Sequence, residues 1–215
     1  MKPKKETEQK TRPRKSSLRE NIEAIIVAVI LAMFIRTFVI QAFKIPSGSM
    51  KDTLLIGDHI LVNKFIYGIK VPFSGTTLIP VTQPDRGDIV VFKYPVDPSK
   101  DFIKRVIGIA GDKIEIRNKQ VYVNDKPLVQ DFAIYTDSRI ESGQRDNMAA
   151  ITVPENSIFM MGDNRDNSAD SRFWGYVDLK AVKGKAFIIY WSWNSGNQDS
   201  VLNYVRWDRL AHLLK

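Results

Sequence analysis

Residues 102–109 have the sequence Phe102-Ile103-Lys104-Arg105-Val106-Ile107-Gly108-Ile109. The β-branched and aromatic residues of this stretch predict a β-strand. Successive side chains of a strand point to opposite faces, so Lys104 shares one face with Phe102 and Val106. Because burial disfavours the charged form of a lysine, Lys104 is a candidate general base that needs no histidine. The alternative is an ordinary sheet lysine whose ammonium group reaches solvent.

Similar short runs lie on both sides of this strand, separated by turn residues. Asn118-Lys119 stands between two of the runs and predicts a tight hairpin turn. Residues 131–149 are polar and lack periodicity, which predicts a long exposed loop, and residues 205–214 have the periodicity of a short terminal helix. The whole pattern predicts a mostly β fold built on an antiparallel sheet. The other predicted strands are 88–93, Lys113–Arg117, Gln120–Val123, Ser157–Met161 and 186–193.

Length and composition exclude several classes of protein. A chain of 215 residues allows one domain of ordinary size with a tail or anchor. The first twenty residues hold eight of the 32 basic and three of the 24 acidic side chains, so +5 of the net charge of +8 lies in this tail. The nearly neutral remainder argues against a nucleic-acid-binding protein. The chain has no cysteine, and neither His59 nor His212 has a zinc-ligand spacing, so we expect no disulfide, metal or cofactor.

An apolar stretch follows the basic tail. Residues 22–35 are broken only by Glu23, and the apolar character resumes after Arg36 and continues to Phe43. About 22 helical residues span roughly 30 Å, the thickness of the hydrocarbon core of a bilayer. The basic tail predicts that the amino end stays in the cytoplasm. The predicted divisions are a cytoplasmic basic tail at 1–20, a transmembrane helix at 21–43 and an extracytoplasmic catalytic domain at 44–215.

A cleaved signal peptide and a buried helix of a soluble protein are the two other interpretations of this stretch. No small-x-small cleavage site follows it, since bulky Ile40 stands two residues before Ala42. The abrupt change of charge before Asn21 disfavours a buried soluble helix. An uncleaved anchor is therefore the preferred interpretation.

The segment Pro46-Ser47-Gly48-Ser49 follows the anchor. Proline fixes one backbone angle and glycine permits an unusual one, which predicts a tight turn with exposed N–H groups. Such a turn can present a nucleophile, here Ser49, next to a donor for an oxyanion. On its own the motif does not distinguish a nucleophile from a loop serine.

A polar loop at residues 162–172 follows the apolar run 158–161. Its carboxylates and arginines predict a hydrogen-bonded scaffold that fixes the geometry of a site. Calcium binding is the alternative, because Asp and Asn alternate in the loop. Arg165 and Arg172, and the lack of a Glu at the spacing of an EF-hand, disfavour calcium.

Four segments in this order after an anchor resemble bacterial type I signal peptidase, the membrane-bound Ser/Lys endopeptidase that removes signal peptides from exported proteins. They are 46–50, 86–92, 102–112 and 162–172. Two positions depart from the family pattern, because Asp52 and Ala110 stand where it commonly has proline. The departures affect the rigidity of local turns rather than the residues of the site.

The resemblance implies a role for each candidate residue. Ser49 would be the nucleophile and Lys104 the base, Ser47 and the Ser49 amide would hold the oxyanion, and Ser168 would orient Lys104. Arg105, Asp170 and Arg172 would support the site. Shallow apolar pockets would accept small residues at substrate positions −1 and −3. These pockets would be lined by Phe43, Ile45, Met50, Leu54, Ile60, Phe102 and Ile103.

The resemblance also implies partners and a location. The substrates would be preproteins cut after Ala-x-Ala, and the enzyme would cross the bacterial cytoplasmic membrane once, with its catalytic domain on the outer face and an encounter with the export translocon. Trp191 and Trp193 would suit either the membrane interface or the protein core. The alternatives are a self-cleaving repressor of the Ser/Lys type, an organelle peptidase, and a non-catalytic membrane-tethered β module that binds exported proteins.

Overall fold

The computed structural model describes residues 17–70, 77–79, 81–194 and 204–214. Most of the basic tail predicted at 1–20 lies outside these residues. The helices are α1 Ser17–Phe34, which continues as a π-helical turn at Ile35–Val39, and α2 Ser171–Trp174. The strands are β1 Ile40–Lys44, β2 Asp58–Asn63, β3 Ile69–Lys70, β4 Thr77–Ile79, β5 Ile89–Lys93, β6 Asp101–Gly108, β7 Lys113–Arg117, β8 Gln120–Val123, β9 Lys126–Pro127, β10 Met148–Thr152, β11 Ser157–Met161, β12 Val177–Asp178, β13 Val182–Ser192 and β14 His212–Leu213.

The strands form three sheets within the described residues, and every strand pair is antiparallel. The large sheet has the order β1-β2-β13-β5-β6-β11-β12, with β14 paired to β13. A second sheet has the order β10-β7-β8-β9, and β3 pairs with β4. The prediction of a mostly antiparallel β fold after an N-terminal apolar helix is therefore confirmed.

Three of the six predicted strands, β7, β8 and β11, have the predicted bounds, and β5 and β6 differ by one residue at their ends. Strand β13 begins four residues earlier than expected. The predicted hairpin turn is also present, because Asn118 and Lys119 adopt φ values of 47° and 71° between β7 and β8. Positive φ at both central residues is the signature of a type I′ turn. The loop predicted at 131–149 has no strand before β10, but Asp146 within it is buried.

The predicted terminal helix at 205–214 is wrong. This segment contains one 3-10 turn, Trp207–Arg209, and then the strand β14. Ala211 adopts a φ of 57°, which interrupts a right-handed helix. Pairing with β13 at Ile188 and Ile189 satisfies the backbone hydrogen bonds of β14, so tertiary contact outweighs the local helical pattern.

Three clusters of buried apolar side chains form the core, and β6 contributes to all of them. Ile103 packs against the cluster under β1 and β2, Ile107 belongs to the cluster between the two larger sheets, and Val106 belongs to the third cluster. The strand that contains Lys104 therefore lies where the clusters meet, which places this lysine in a low-polarity region.

Helix α1 ends earlier than the sequence predicts. The stretch Leu18–Val39 is long and apolar enough to cross a membrane, and none of it is buried against the rest of the chain. Residues 40–43, expected in the helix, belong to β1, because Ile40 to Lys44 pair with Asn63 to His59 of β2. His59 is the second residue of β2.

Candidate active site

Ser49 and Lys104 are 55 residues apart in the sequence and adjacent in the structure. Ser49 lies in the turn after β1 and Lys104 in the middle of β6. The distance from Lys104 Nζ to Ser49 Oγ is 2.7 Å, and Nζ also donates to the Ile103 carbonyl at 3.0 Å. An amine and a hydroxyl at this separation are within the range that direct proton transfer requires.

Apolar surroundings control the proton affinity of Lys104. The side chain is 3% exposed, and its Nζ lies 5.4 Å from the centroid of the Phe102 ring, on the face that strand alternation predicts. Burial lowers the pKa of Lys104 from 10.5 to about 8, and the carboxylates of Asp170 and Asp163 oppose this shift. At pH 7 about a tenth of the lysines are then neutral, compared with fewer than one in a thousand for a lysine in water.

Phe102 is supported by two aromatic residues, Tyr94 and Trp174, which were not predicted from the sequence. The Tyr94 ring stacks on Phe102 with centroids 4.2 Å apart, and Trp174 meets the Phe102 ring edge-on at 5.5 Å. Trp174 also lies edge-on to Tyr94 at 5.0 Å. Offset and edge-on aromatic contacts are favourable, so the group holds Phe102 beside Lys104.

The turn that contains Ser49 is held by Asn164, a buried residue of the polar loop. The Asn164 backbone N–H donates to the Ser49 carbonyl at 3.1 Å, and its side-chain amide donates to the Gly48 carbonyl at 3.0 Å. The Ser49 amide has no hydrogen-bond partner in the described part of the chain, and Ser47 is exposed at the rim of the site. Sequence reasoning identified the loop but not the role of Asn164.

Arg105, predicted as a support, lies on the opposite face of β6 from Lys104. It forms an ion pair of 2.8 Å with Asp163, and both side chains are at most 4% exposed. Arg105 also donates to the Gly87 carbonyl at 2.7 Å, and Thr53 donates to Asp163 at 2.6 Å. The ion pair therefore connects β6, the polar loop and the segment after Ser49, although Asp163 and Thr53 were not singled out from the sequence.

Asp170 and Arg172 stabilise the polar loop from within. Their side chains form a buried ion pair of 2.8 Å, and Asp170 also accepts from the Gly162 amide at 3.1 Å. Arg172 donates to the Arg165 carbonyl at 2.6 Å. The carboxylates of this loop are thus bonded to basic side chains and backbone amides, and in the described ranges no three His, Cys, Asp or Glu residues form a metal cluster. These contacts match a hydrogen-bonded scaffold.

Ser168 lies in this loop but does not make the hydrogen bond to Lys104 that the resemblance implied. Its Oγ is buried without a partner among the described residues, while Lys104 donates to Ser49 and to the Ile103 carbonyl. An orienting role for Ser168 therefore stays a prediction.

A cavity of about 450 Å³ opens over Ser49 and Lys104. Of the seven predicted pocket residues, Phe102 and Ile103 line it. The others form the first core cluster or pack against it, so they lie under the site rather than in its open part. Phe43 and Ile60 lie in β1 and β2, whereas Ile45, Met50 and Leu54 belong to the segment between these strands, which folds onto the same core. The residues beneath the site are Phe43, Ile45, Met50, Leu54 and Ile60.

The two departures from the family pattern lie in separate turns. Asp52 adopts a φ of 74°, which the ring of proline excludes, so this turn differs from one built with proline. Ala110 precedes Gly111 in a turn that Asp112 closes by accepting from the Ile109 amide at 2.9 Å. Neither residue lines the cavity over Ser49.

A polar network at the carboxyl end holds the segment that follows Ser49. Asp58 is fully buried and forms an ion pair of 2.7 Å with Arg209, which also donates to the Thr53 carbonyl at 2.9 Å. Ser192 donates to the other carboxylate oxygen of Asp58 at 2.6 Å. Because Asp58 and Arg209 are 151 residues apart, no local pattern could indicate this contact.

Comparison with known proteins identifies the family of this chain. A family profile described as signal peptidase, peptidase S26, matches residues 18–191. The chain belongs to the signal peptidase family. The signal peptidase I of Pseudomonas aeruginosa is 36% identical over 208 residues, which cover 82% of this chain and 73% of the relative. The signal peptidase I of Aquifex aeolicus is 32% identical over 229 residues, covering 81% and 85%.

A solved signal peptidase I from Enterococcus faecalis is 29% identical, with a TM-score of 0.40, and the match covers 48% of this chain and 97% of that one. The resemblance to type I signal peptidase is confirmed by the family profile and the curated relatives. This signal peptidase is an enzyme that cleaves signal peptides, and its substrates are preproteins that carry them. Membership in the family favours the enzyme over the non-catalytic module and the self-cleaving repressor.

Proposed function

We propose that this signal peptidase cleaves by a Ser49/Lys104 dyad, after Ala-x-Ala, while tethered to a membrane by helix α1. The contact of 2.7 Å between Lys104 Nζ and Ser49 Oγ carries this proposal. A buried lysine beside a serine hydroxyl in an open cavity is the arrangement that nucleophilic catalysis requires when no histidine is near.

In the first half of the reaction, neutral Lys104 accepts the proton of Ser49 as Oγ attacks the scissile carbonyl carbon. The carbonyl oxygen becomes an oxyanion, which the Ser49 amide and the Ser47 hydroxyl stabilise by hydrogen bonds. Lys104, now an ammonium ion, donates its proton to the leaving amine, and an acyl-enzyme remains on Ser49. Asn164 holds the turn in place during this step through its bonds to Gly48 and Ser49.

In the second half, a water molecule loses a proton to neutral Lys104 and attacks the ester carbonyl. The same oxyanion donors act again, and Ser49 leaves with the proton that Lys104 returns. Arg105, Asp170 and Arg172 contribute by holding the two segments that carry the reacting groups, since each is buried and paired. Ser168 would orient Lys104, as the resemblance to the family implies.

The cavity supports a preference for small residues. Phe102 and Ile103 form its apolar wall, and the turn from Pro46 to Ser49 closes it on the other side. A small apolar side chain fits between these walls, whereas a larger one would displace residues that pack tightly on the core below. Phe43, Ile45, Met50, Leu54 and Ile60 would form the base of the −1 and −3 pockets.

The exposed apolar surface of helix α1 supports a membrane anchor. Ile25, Val27 and Ile30 are each more than 60% exposed, which is costly in water and favourable in lipid. The proposed organisation has the tail 1–20 in the cytoplasm and residues 44–215 outside, on the bacterial cytoplasmic membrane near the translocon. Trp193 is 45% exposed and contacts Trp191 edge-on at 5.6 Å, so this pair remains a candidate for the membrane interface.

The proposed specificity is tested with the detergent-purified enzyme and peptides that span a signal peptide cleavage site. We expect cleavage directly after the second alanine of Ala-x-Ala, identified by sequencing the new amino terminus. The matched control peptide has leucine in place of that alanine, and its kcat/KM should fall at least about 100-fold, because the larger side chain clashes with a rigid pocket. Equal cleavage of both peptides would contradict the proposed specificity.

The dyad predicts a rise of activity with pH. Only neutral Lys104 acts as the base, and burial lowers its pKa to about 8. The kcat/KM should therefore rise about tenfold per pH unit below pH 8 and level off above it, since kcat/KM follows the ionisation of the free enzyme. The measurement is a rate profile from pH 6 to 10 with the Ala-x-Ala peptide. A flat profile would argue against Lys104 as the base.

A further inference from the structure

The junction between helix α1 and the large sheet contains no flexible linker. The π-helical turn ends at Val39, and Ile40 is already the first residue of β1, paired with Asn63. The Ile40 amide still donates to the Ile35 carbonyl of the helical turn. One residue thus belongs to both elements, so the direction of the strand is fixed relative to the helix.

Lys64 strengthens this junction from the neighbouring strand end. Its backbone N–H donates to the Val39 carbonyl at 2.9 Å, and its half-buried side chain donates through Nζ to the Thr37 carbonyl at 2.5 Å. Two carbonyls at the end of the helical segment, those of Thr37 and Val39, are therefore bonded to Lys64, the residue that follows β2. The bond from Nζ is charge-assisted, which makes it stronger than a bond between neutral groups.

The fixed geometry continues to the nucleophile. After β1, the Ile45 amide donates to the Asp58 carbonyl at 2.8 Å, and the Gly57 amide donates to the Ile45 carbonyl at 3.1 Å. The next four residues form the turn that Asn164 holds. The backbone is thus hydrogen-bonded to the body of the protein from Val39 to Ile45, and again at the carbonyls of Gly48 and Ser49.

We propose that this junction is a rigid spacer that holds Ser49 at one height above the membrane, and that the spacer selects which bond of a membrane-bound preprotein is cut. Lys64 is a positioning residue in this arrangement. The inference rests on the proposed membrane anchor and signal peptide cleavage. The substrate in this proposal is a preprotein whose apolar segment remains in the bilayer. The residues that follow the apolar segment extend from the membrane to Ser49.

The height sets an expected range of substrate spacing. Ten residues separate Val39 from Ser49, and a fully extended chain of that length spans at most about 35 Å. The five residues of β1 account for roughly 16 Å of it. A substrate spacer that cannot span this height loses cleavage, whereas a longer spacer is penalised only gradually. We expect the optimum between about five and ten residues.

The test uses the full-length enzyme in vesicles of phosphatidylethanolamine and phosphatidylglycerol. The substrates are preproteins whose Ala-x-Ala site lies 3, 7 or 15 residues beyond the apolar segment. A variant with Gly-Ser-Gly-Ser inserted between Val39 and Ile40 releases the junction, and the same insertion between exposed Ser142 and Gly143 is the matched control. We expect the 7-residue spacer to be preferred over the 3-residue spacer at least about tenfold by wild type and control, and the junction insertion to reduce this preference at least threefold.

Cleavage of a short Ala-x-Ala peptide in detergent separates the possible failures. If wild type does not cut this peptide, the proposed function fails. If wild type and the junction variant cut it equally but have the same spacer preference, the rigid spacer alone is refuted. If the junction insertion abolishes peptide cleavage, the test uses Lys64→Met instead, which leaves the chain length unchanged. This variant should lower the preference for the 7-residue spacer at least about twofold and leave peptide cleavage intact. An unchanged preference in Lys64→Met would then overturn the proposal.

Discussion

Lys104→Met is expected to lower the kcat/KM for an Ala-x-Ala peptide by about 10³-fold or more, because methionine has a similar shape and no basic nitrogen. Ser49→Ala should cause a loss of similar size, and the double variant little more, since the two groups act as one unit. Lys104→Arg should be as inactive as the methionine variant. A guanidinium group stays protonated in proteins, so it keeps the positive charge but cannot accept a proton.

The measurement is single-turnover cleavage of the peptide at pH 8 by purified variants. Lys93→Met is the matched control, because Lys93 is an exposed lysine of the adjacent strand β5 and its loss should leave kcat/KM within about twofold. Lys104→Met that retained more than a tenth of the activity would refute the role of Lys104 as base. Activity in Lys104→Arg would indicate instead that only the charge is needed.

Lys104→Met should also have a higher free energy of unfolding than the wild type. The pKa of Lys104 is lower in the folded protein than in the unfolded chain, so the unfolded state binds the proton more tightly and wild-type stability is reduced below pH 8. This cost disappears as the pH rises from about 8 to 10.5. We therefore expect Lys104→Met to raise the free energy of unfolding at pH 7 by roughly 2–3 kcal/mol, and by little at pH 10.5. Denaturant unfolding at both pH values measures the difference.

Part of the site could be predicted from the sequence because catalysis requires a lysine where stability alone would favour an apolar residue. A lysine between Phe102 and Val106 on one face of a predicted strand contradicts the usual pattern of a buried face, and such local conflicts mark functional positions. Ser49 was indicated by the turn residues around it, and the polar loop by its density of charge. Each of these signals lies within about ten consecutive residues, where spacing determines which side chains share a face.

The contacts that hold the site together were not predictable in the same way. Asn164 supports the nucleophile turn from more than a hundred residues away, and Arg209 reaches Asp58 across most of the chain. Neither pair leaves a local pattern, because both depend on how the strands of the large sheet are ordered. The prediction of a terminal helix was wrong for a related reason. The backbone of β14 pairs with β13, and the local sequence does not indicate this pairing.

The order of the strands also creates a crowded point at Gly162, between the polar loop and the nucleophile turn. A Cβ atom at this position would occupy space already taken by Ser168 Oγ and the Ser49 carbonyl oxygen. The Ser49 oxygen belongs to backbone that Asn164 holds through its own hydrogen bond, so it cannot move without moving the turn. Only glycine lets the loop approach Ser49 this closely.

Gly162→Ala is therefore expected to reduce kcat about 100-fold, because a displacement of roughly 1 Å between Ser49 and Lys104 is enough to disrupt proton transfer. KM should change much less, since Gly162 does not line the cavity over Ser49. The control is Gly143→Ala, where a Cβ would meet no atom within 4 Å and activity should be unchanged.

The pH profile of Gly162→Ala adds a second readout. If the methyl group displaces only the serine, the rise near pH 8 should persist at the lower rate; if the rise moves, Lys104 itself has lost its surroundings. Full activity in Gly162→Ala would mean that the turn tolerates movement, and the rigid placement of Ser49 by the polar loop would be wrong.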